Sequence, residues 1–295
     1  RTTPLSPADL RTRIDPLGLG PNAAALSVLR SYPMPNDSAA GDGINTSGYR
    51  FNAPVAVNQN TYIAKIDFVP DASGRHALFI RGNLQDDRSD DAPQFPGQAP
   101  NNTTLNNSKG LATGWNYTIG ANKVNNFRYG LTRVGLEQTG VSSQVFVSFR
   151  TIDLPVGSNR AFLRQTPVHT LSDDFAWQKG KHELKMGFVG RFVRNSRSNY
   201  GNSFPSASAN ASWLTGSGSQ LNAPLTDIAA AARVAYRDAA MAVLGIVSQG
   251  NARYNYTKDG TALPIGAPVD RQFNSNEYEL YVQDTFRATR SLTVT

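Results

Sequence analysis

Three histidines, His76, His169 and His182, are the first residues to test for catalysis or metal binding. An imidazole titrates near neutral pH and ligates transition metals. Their spacing argues against both uses, because each lies in a separate segment and no His-x-x-x-His pair places two ligands on one helix face. Asp173 and Asp174 are adjacent carboxylates, which could do general acid–base work if both reached one substrate. They stand in an alternating stretch, where neighbours point to opposite faces, so they are not expected to share a site. The run Asp86-Asp87-Arg88-Ser89-Asp90-Asp91 offers oxygen ligands suited to calcium. It lacks the spaced Asp-x-Asp-x-Asp-Gly of an EF-hand and reads as a solvated loop. Gly216-Ser217-Gly218-Ser219 lacks the Lys-Ser/Thr of a phosphate loop and reads as flexible linker. The chain has no cysteine, which excludes disulfides, thiolate chemistry and cysteine–zinc sites. No catalytic, metal or cofactor-binding residue is assigned, no cofactor is expected, and the chain is not read as an enzyme.

The bulk numbers narrow the class. At 295 residues the chain is long enough for one large all-β domain or two average ones. It is 39% hydrophobic and 17% charged, unlike a disordered chain or a helical membrane protein. No run approaches the roughly 18 consecutive apolar residues that a spanning helix requires. A closed β-barrel is the other way to satisfy backbone groups in lipid. The formal charge of +7 could suggest nucleic acid, but the basic residues are scattered singly rather than clustered, so no nucleic-acid partner is expected. The sequence begins at Arg1 and stops at Thr295 inside the alternating pair Leu292 and Val294, and it reads as a fragment cut at both ends.

The elements that carry these residues are organised around Val168 to Arg194. Leu184, Met186, Phe188, Gly190 and Phe192 fall on one face of a strand. Glu183, Lys185, Gly187, Val189 and Arg191 fall on the other. The preceding arm repeats the pattern with His169, Leu171, Phe175 and Trp177, interrupted by Asp173, and the turn Gln178-Lys179-Gly180-Lys181 joins the two. Alternation over that length gives one apolar and one wetter face. Long antiparallel arms on tight turns are what a membrane-spanning barrel needs.

The same plan recurs along the chain. Residues 1–58 form an external region with short helices, one starting at Ser6-Pro7-Ala8-Asp9 and one over Asn22 to Leu29. Strands are expected at 59–69 (Tyr62, Ala64, Ile66, Phe68) and 75–85, at 110–120 (Trp115) and 125–136 (Phe127), at 166–196 as the central hairpin, and from about 273 to Phe286. The barrel region is 59–295. Between hairpins lie long loops, about 86–109, 137–165 and 197–272. The second contains an alternating piece, Val145, Val147 and Phe149, that extends a strand above the membrane. The third holds a helix over Asp227 to Val247 and a short strand over Ala252 to Tyr256. Short turns near 72, 122, 180 and 289 alternate with these long loops. Outer-membrane barrels show that asymmetry, with short periplasmic turns and long external loops. Tyr62, Trp115, Phe127, Trp177 and Phe286 suit interface girdles.

At Glu277-Tyr278-Glu279-Leu280-Tyr281-Val282-Gln283-Asp284-Thr285-Phe286, followed by Ser291-Leu292-Thr293, the chain resembles TonB-dependent outer-membrane receptors. Their barrels often carry a Tyr-x-Gln-Asp-x-aromatic strand before an x-Leu-Thr strand. Other pieces are similar to the Oar-like branch, whose members often carry a carboxypeptidase-regulatory-like domain. These are Asn58-Gln59-Asn60-Thr61-Tyr62, Leu78-Phe79-Ile80-Arg81-Gly82-Asn83, Phe95-Pro96-Gly97, Asn126 to Arg133, and Trp177 to Gly187. The resemblance covers about residue 40 to 295. It implies a barrel of about 22 strands with an N-terminal plug, of which this chain holds roughly eight. It also implies outer-membrane lipid, the plug, the TonB energy complex and an unidentified small ligand as partners.

The expected fold is therefore all-β, a partial antiparallel transmembrane barrel in the cell outer membrane of a Gram-negative-type bacterium. The rivals are an energy-independent porin or adhesin barrel and a secreted glycan-binding β-sandwich. The sandwich buries Leu184, Met186, Phe188 and Phe192 under a second sheet, whereas the barrel turns them to lipid. Single cysteines at Phe188 and Val189 of the full-length protein test the register. In outer-membrane vesicles, a lipid-confined probe should label position 188 and leave 189 unlabelled. Equal protection at both positions in a protein soluble without detergent would rule out a membrane strand.

Overall fold

The computed structural model describes residues 6–15, 17–41, 46–140, 146–150, 152–201, 205–209, 211 and 224–295. Its strands are β1 (Val57–Phe68), β2 (His76–Asp90), β3 (Thr103–Asn106), β4 (Lys109–Thr118), β5 (Lys123–Gln138), β6 (Phe146–Phe149), β7 (Phe162–Lys179), β8 (His182–Asn199), β9 (Ser206–Ala209), β10 (Gln249–Asn251), β11 (Val269–Arg287) and β12 (Thr293–Val294). Three α-helices join them: α1 (Pro7–Arg13), α2 (Ala23–Arg30) and α3 (Arg233–Leu244).

Nine strands form one antiparallel sheet in the order β1-β2-β3-β5-β7-β8-β11-β12, with β4 between β2 and β5. β3 and β4 are one arm. Against β2, Asn106 faces Asp87 and Lys109 faces Leu84, and against β5 they face Leu136 and Arg133, so the register never shifts. The sheet is thus an eight-arm meander of sequential neighbours. Among the described residues it does not close: β1 pairs only with β2, and β12 covers β11 only at Phe286 and Arg287.

Short turns join the arms at one end. Between β1 and β2, Asp71 accepts the amides of Arg75 at 3.1 Å and His76 at 3.0 Å, and the Ser73 hydroxyl. The Ser73 bond first, then the amides, lowers its carboxyl to about 2. Between β7 and β8 only Gly180 and Lys181 intervene, with Gly180 at φ 60°, the left-handed conformation such a turn requires.

The arms are also locked by aromatic rings lying over glycines of the next strand. A Cβ at Gly114 would sit 2.3 Å from Phe79, and one at Gly187 would sit 2.3 Å from Tyr281 and 2.6 Å from the Asp174 carboxylate. The Tyr281 hydroxyl crosses Gly187 to donate to Asp174 Oδ1 at 2.8 Å, tying β11 to β7 over β8.

At the opposite end the long connections pack together. α1 starts at Ser6, whose hydroxyl accepts the Asp9 amide, and α2 starts at Asn22, which caps Ala25. Leu10 and Ile14 of α1 pack with Ala240 and Leu244 of α3, and Arg13 pairs with Asp227. Tyr32 sets its ring edge-on to Phe95, 5.9 Å away, and donates to the Asp153 carbonyl at 2.5 Å. Burial, and then the Asp153 charge, raises its phenol to about 12. The N-terminal segment is thereby stitched to all three long connections.

Several expectations are corrected. The acidic run is not loop through Asp90. It continues β2, with Asp86 opposite Asn60 and Asp87 opposite Gln59. β5 runs on past Arg133 to Gln138, and β7 begins at Phe162. These extensions are mostly polar, so no apolar alternation marks them. Asp173 does not break β7, where it stands opposite Phe127 and Phe188. Val147 and Phe149 lie in β6, which pairs in parallel with β9 in a separate three-stranded sheet with β10, and so extend no barrel strand. Val145 lies outside the described residues. The third loop's helix is shorter than expected. Ala229 is extended and no side chain caps the start, while Gly245 at φ 69° ends it. The short strand sits at Gln249–Asn251, paired with β9, and Tyr256 makes only an isolated bridge to Ala262. Gly216 to Ser219 lie outside the described residues.

The ring-over-glycine contact between β11 and β8 gives a measurable consequence. Gly187→Ala should destabilise the folded barrel by about 1–3 kcal/mol through overpacking. Tyr281→Phe, which keeps the ring, should cost about 1 kcal/mol through the lost bond to Asp174. Urea unfolding in lipid vesicles measures both. A Gly187→Ala protein as stable as the parent would show that the ring moves aside freely.

Candidate functional site, the two faces of the barrel wall

Register alone assigns every strand residue to one of two faces. The first carries Tyr62, Ala64, Ile66 and Phe68 of β1, Leu78, Ile80 and Leu84 of β2, and Leu111, Trp115 and Tyr117 of β4. It continues with Phe127, Tyr129 and Leu131 of β5 and with Leu171, Phe175 and Trp177 of β7. Leu184, Met186, Phe188 and Phe192 of β8 and Tyr278, Leu280 and Val282 of β11 complete it. This apolar belt is uncovered. No hydrophobic side chain of the nine-stranded sheet is among the buried ones, and Leu280 and Val282 are 83% and 78% exposed. A sandwich would bury them, so that rival fails on geometry. His182 to Phe192 supplies the roughly 9–11 residues that a tilted membrane strand needs.

Of the expected girdle residues, Trp115 and Phe286 stand beside histidines towards the short-turn end, whereas Phe127 faces Asp173, in line with Phe188 and Leu280 in the middle of the belt. At the short-turn end His76 stacks on Tyr117 at 4.3 Å and accepts the Trp115 indole N–H at 3.1 Å. His182 stacks on Phe286 at 4.6 Å and meets Asp284 at 2.7 Å. At the long-loop end His169 meets the Tyr129 hydroxyl at 2.8 Å. The structure thus gives each histidine its own aromatic neighbour on a different strand and brings no two of them together. Among the described residues no group of three or more His, Cys, Asp or Glu is placed to hold a metal. Asp90 is occupied structurally, accepting from Thr103 at 2.6 Å and pairing with Arg88 at 3.1 Å.

The second face is polar and small. On β4 it presents Gly110, Ala112, Gly114 and Asn116, a floor between taller neighbours. Phe79 lies on that floor with the Lys65 ammonium and the Arg128 guanidinium each 5.7 Å from its ring centre. Arg81 follows two residues along β2, so β1–β5 carry a basic arc, partly neutralised by Asp67, which pairs with Lys65 at 2.7 Å. Asp174, Glu183, Glu277 and Glu279 make an acidic arc over β7–β11, partly neutralised by Arg191 on Glu277 at 2.8 Å and Lys185 on Glu183 at 2.9 Å. Such exposed pairs contribute little stability each. Their effect is to line this face with fixed, water-facing charge, as a barrel lumen requires.

Asp173 and Asp174 fall on opposite faces, as the alternation implies. Asp174 is luminal. Asp173 stands in the apolar belt, where among the described residues the Asn125 amide donates to it at 2.7 Å. Sequence reasoning marked Asp173 as an interruption but could not supply Asn125, which lies on another strand. It also missed the Phe79 clamp, whose members Lys65 and Arg128 lie on β1 and β5.

An antiparallel wall with an uncovered apolar belt, a polar opposite face and segregated loop lengths defines a transmembrane β-barrel. The chain belongs to the outer membrane beta barrel domain family, whose model matches residues 11–295. It is accordingly an outer-membrane protein. No curated protein matches it. Among solved structures it is similar to the outer membrane transporter YddB from Escherichia coli, with 12% identity and a TM-score of 0.44. That likeness covers 79% of this chain and 26% of the transporter, so the chain spans well under half of that protein's length.

The Asp173–Asn125 pair is open to a double-mutant cycle. Asp173→Leu alone leaves the Asn125 amide without its acceptor in lipid, and should gain little stability or lose about 1–3 kcal/mol. Asp173→Leu with Asn125→Leu should be at least as stable as the parent, because both polar groups leave the belt together. Additive effects in vesicle unfolding experiments would mean that the two side chains are not coupled.

Proposed function

We propose that this barrel wall is part of a TonB-dependent receptor that binds and imports a small ligand. Its partners are a plug domain and the inner-membrane TonB energy complex. The observation that carries the reading is the continuous polar face over all the long arms, with long connections tied into one cap at its mouth. Such a face serves passage or plug contact, and such a cap serves capture from outside. The Tyr281-Val282-Gln283-Asp284-Thr285-Phe286 motif supports it. Tyr281 and Gln283 fall on the luminal face of β11, and Val282 falls in the belt. The basic and acidic arcs suit contact with a charged plug or a zwitterionic ligand. The role belongs to transport and binding, not catalysis; turnover of a hydrolase substrate by the purified protein would overturn that part.

Planar-bilayer recording of the full-length protein separates this reading from an energy-independent pore. A plugged receptor should give no steady conductance without its energy complex. Stable ohmic steps from the intact protein would establish a porin instead. Disulfide capture between cysteines placed in the upstream plug-proximal segment and TonB should succeed in cells, and its failure alongside open conductance would exclude energy coupling.

A further inference from the structure

Trp177 closes the apolar belt of β7 at the short-turn end, and its indole N–H is shielded from solvent without a hydrogen-bond partner. A shielded donor with no acceptor calls for a group that supplies one. Two cations share its ring. Lys123, directly opposite on β5, places its ammonium 5.1 Å from the ring centre, and Lys179, two residues along β7 on the same face, places its own at 4.9 Å. Neither lysine forms an ion pair among the described residues. Ammonium groups over an indole are held by its negative face, but the two repel each other and lack a counter-charge. Two acids share this face, and both are engaged: Asp173, four residues away along β7, accepts from Asn125, and Asp284, in line with Trp177 through Leu184 and about 10 Å away across two strand spacings, meets His182. Glu183 and Asp174 point to the lumen.

Two ammonium groups and an unpartnered indole N–H therefore meet around one ring, with no acceptor bonded to any of them among the described residues, at the level where the belt meets water. We propose that Lys123, Lys179 and the Trp177 N–H bind the phosphate of an anionic glycerophospholipid in the periplasmic leaflet. Continuity fixes the occupant as lipid rather than free anion. Phe175, Leu184 and Met186 run from the site directly into the belt, so acyl chains below the phosphate lie along them. Short turns mark the periplasmic side, which places the site in the inner leaflet. Interfacial lysines gain about 1 kcal/mol each from an anionic lipid surface. The proposal rests on the membrane fold and is independent of what the barrel transports.

Native mass spectrometry of the full-length, delipidated protein tests it, with short-chain phosphatidylglycerol as probe and diacylglycerol and inorganic phosphate as controls. The parent should retain phosphatidylglycerol, and K123Q/K179Q should weaken the first binding step about thirtyfold. K123R/K179R, which keeps both charges, should bind within about twofold of the parent, and W177F should show an intermediate loss. Equal affinity in parent and K123Q/K179Q would overturn the site. Equal affinity for diacylglycerol would show that the phosphate is not read. Full displacement by millimolar inorganic phosphate would make it a free-anion site and overturn the lipid assignment. Should K123Q/K179Q fail to fold, loss of binding in a folded K123R/K179R would still overturn the proposal.

Discussion

A peptide group in hydrocarbon has no water to bond, and each one left unpaired costs several kcal/mol. That single constraint explains why the β5–β7 ladder is unbroken from Lys123 opposite Trp177 to Gln138 opposite Phe162 and the β8–β11 ladder from His182 opposite Phe286 to Asn199 opposite Val269, while β7 and β8 skip pairing only at Thr166 and Pro167, above the belt. It also explains why the fold has almost no conventional interior. The ladder supplies order, and the solvent on each side, lipid or water, chooses the side chains. The small packed core sits elsewhere, among α1, α3 and the residues around Leu225 and Ile228.

Because the wall is one residue thick, each strand must satisfy two environments at alternate positions. β8 does so with Leu184, Met186, Phe188 and Phe192 on the lipid face and Glu183, Lys185 and Arg191 on the luminal face. Residues that depart from the rule have identifiable partners. Asp173 among the apolar residues is met by Asn125, and Phe79 among the polar ones lies on Gly114 between two cations. Glycine has a specific task in this wall. At Gly114 and Gly187 the missing Cβ is what lets a neighbouring ring lie flat across the strand.

The hairpins were legible in the sequence because both signals that define them are local: alternation every second residue, and turn formers such as Asp71 to Gly74 and Gly180. The Ser6-Pro7-Ala8-Asp9 start and the run from Asn22 to Leu29 likewise announced α1 and α2. What escaped was of two kinds. Strand beyond the membrane, including Asp86 to Asp90 and Gly135 to Gln138, is mostly polar and carries no apolar period, so it resembled loop. Contacts set by register, such as Asn125 with Asp173 or Lys123 with Trp177, join residues tens of positions apart and cannot be found without the pairing itself. The third connection mixed both problems: β9 left no local mark, and the alternation of Val147 and Phe149 in the second connection marked β6 as a strand without showing that β9 would be its partner.

The extension of β2, β5, β7, β8 and β11 past the apolar belt is, mechanically, a stiff collar. About five further residues per strand, tilted as barrel strands are, lift the loop roots about 13 Å above the lipid. Loop motion is thereby hinged on hydrogen-bonded scaffold and not on the bilayer surface, so changes in membrane thickness or tilt do not reach it. Insertions in the loops load the collar and leave the spanning ladder untouched.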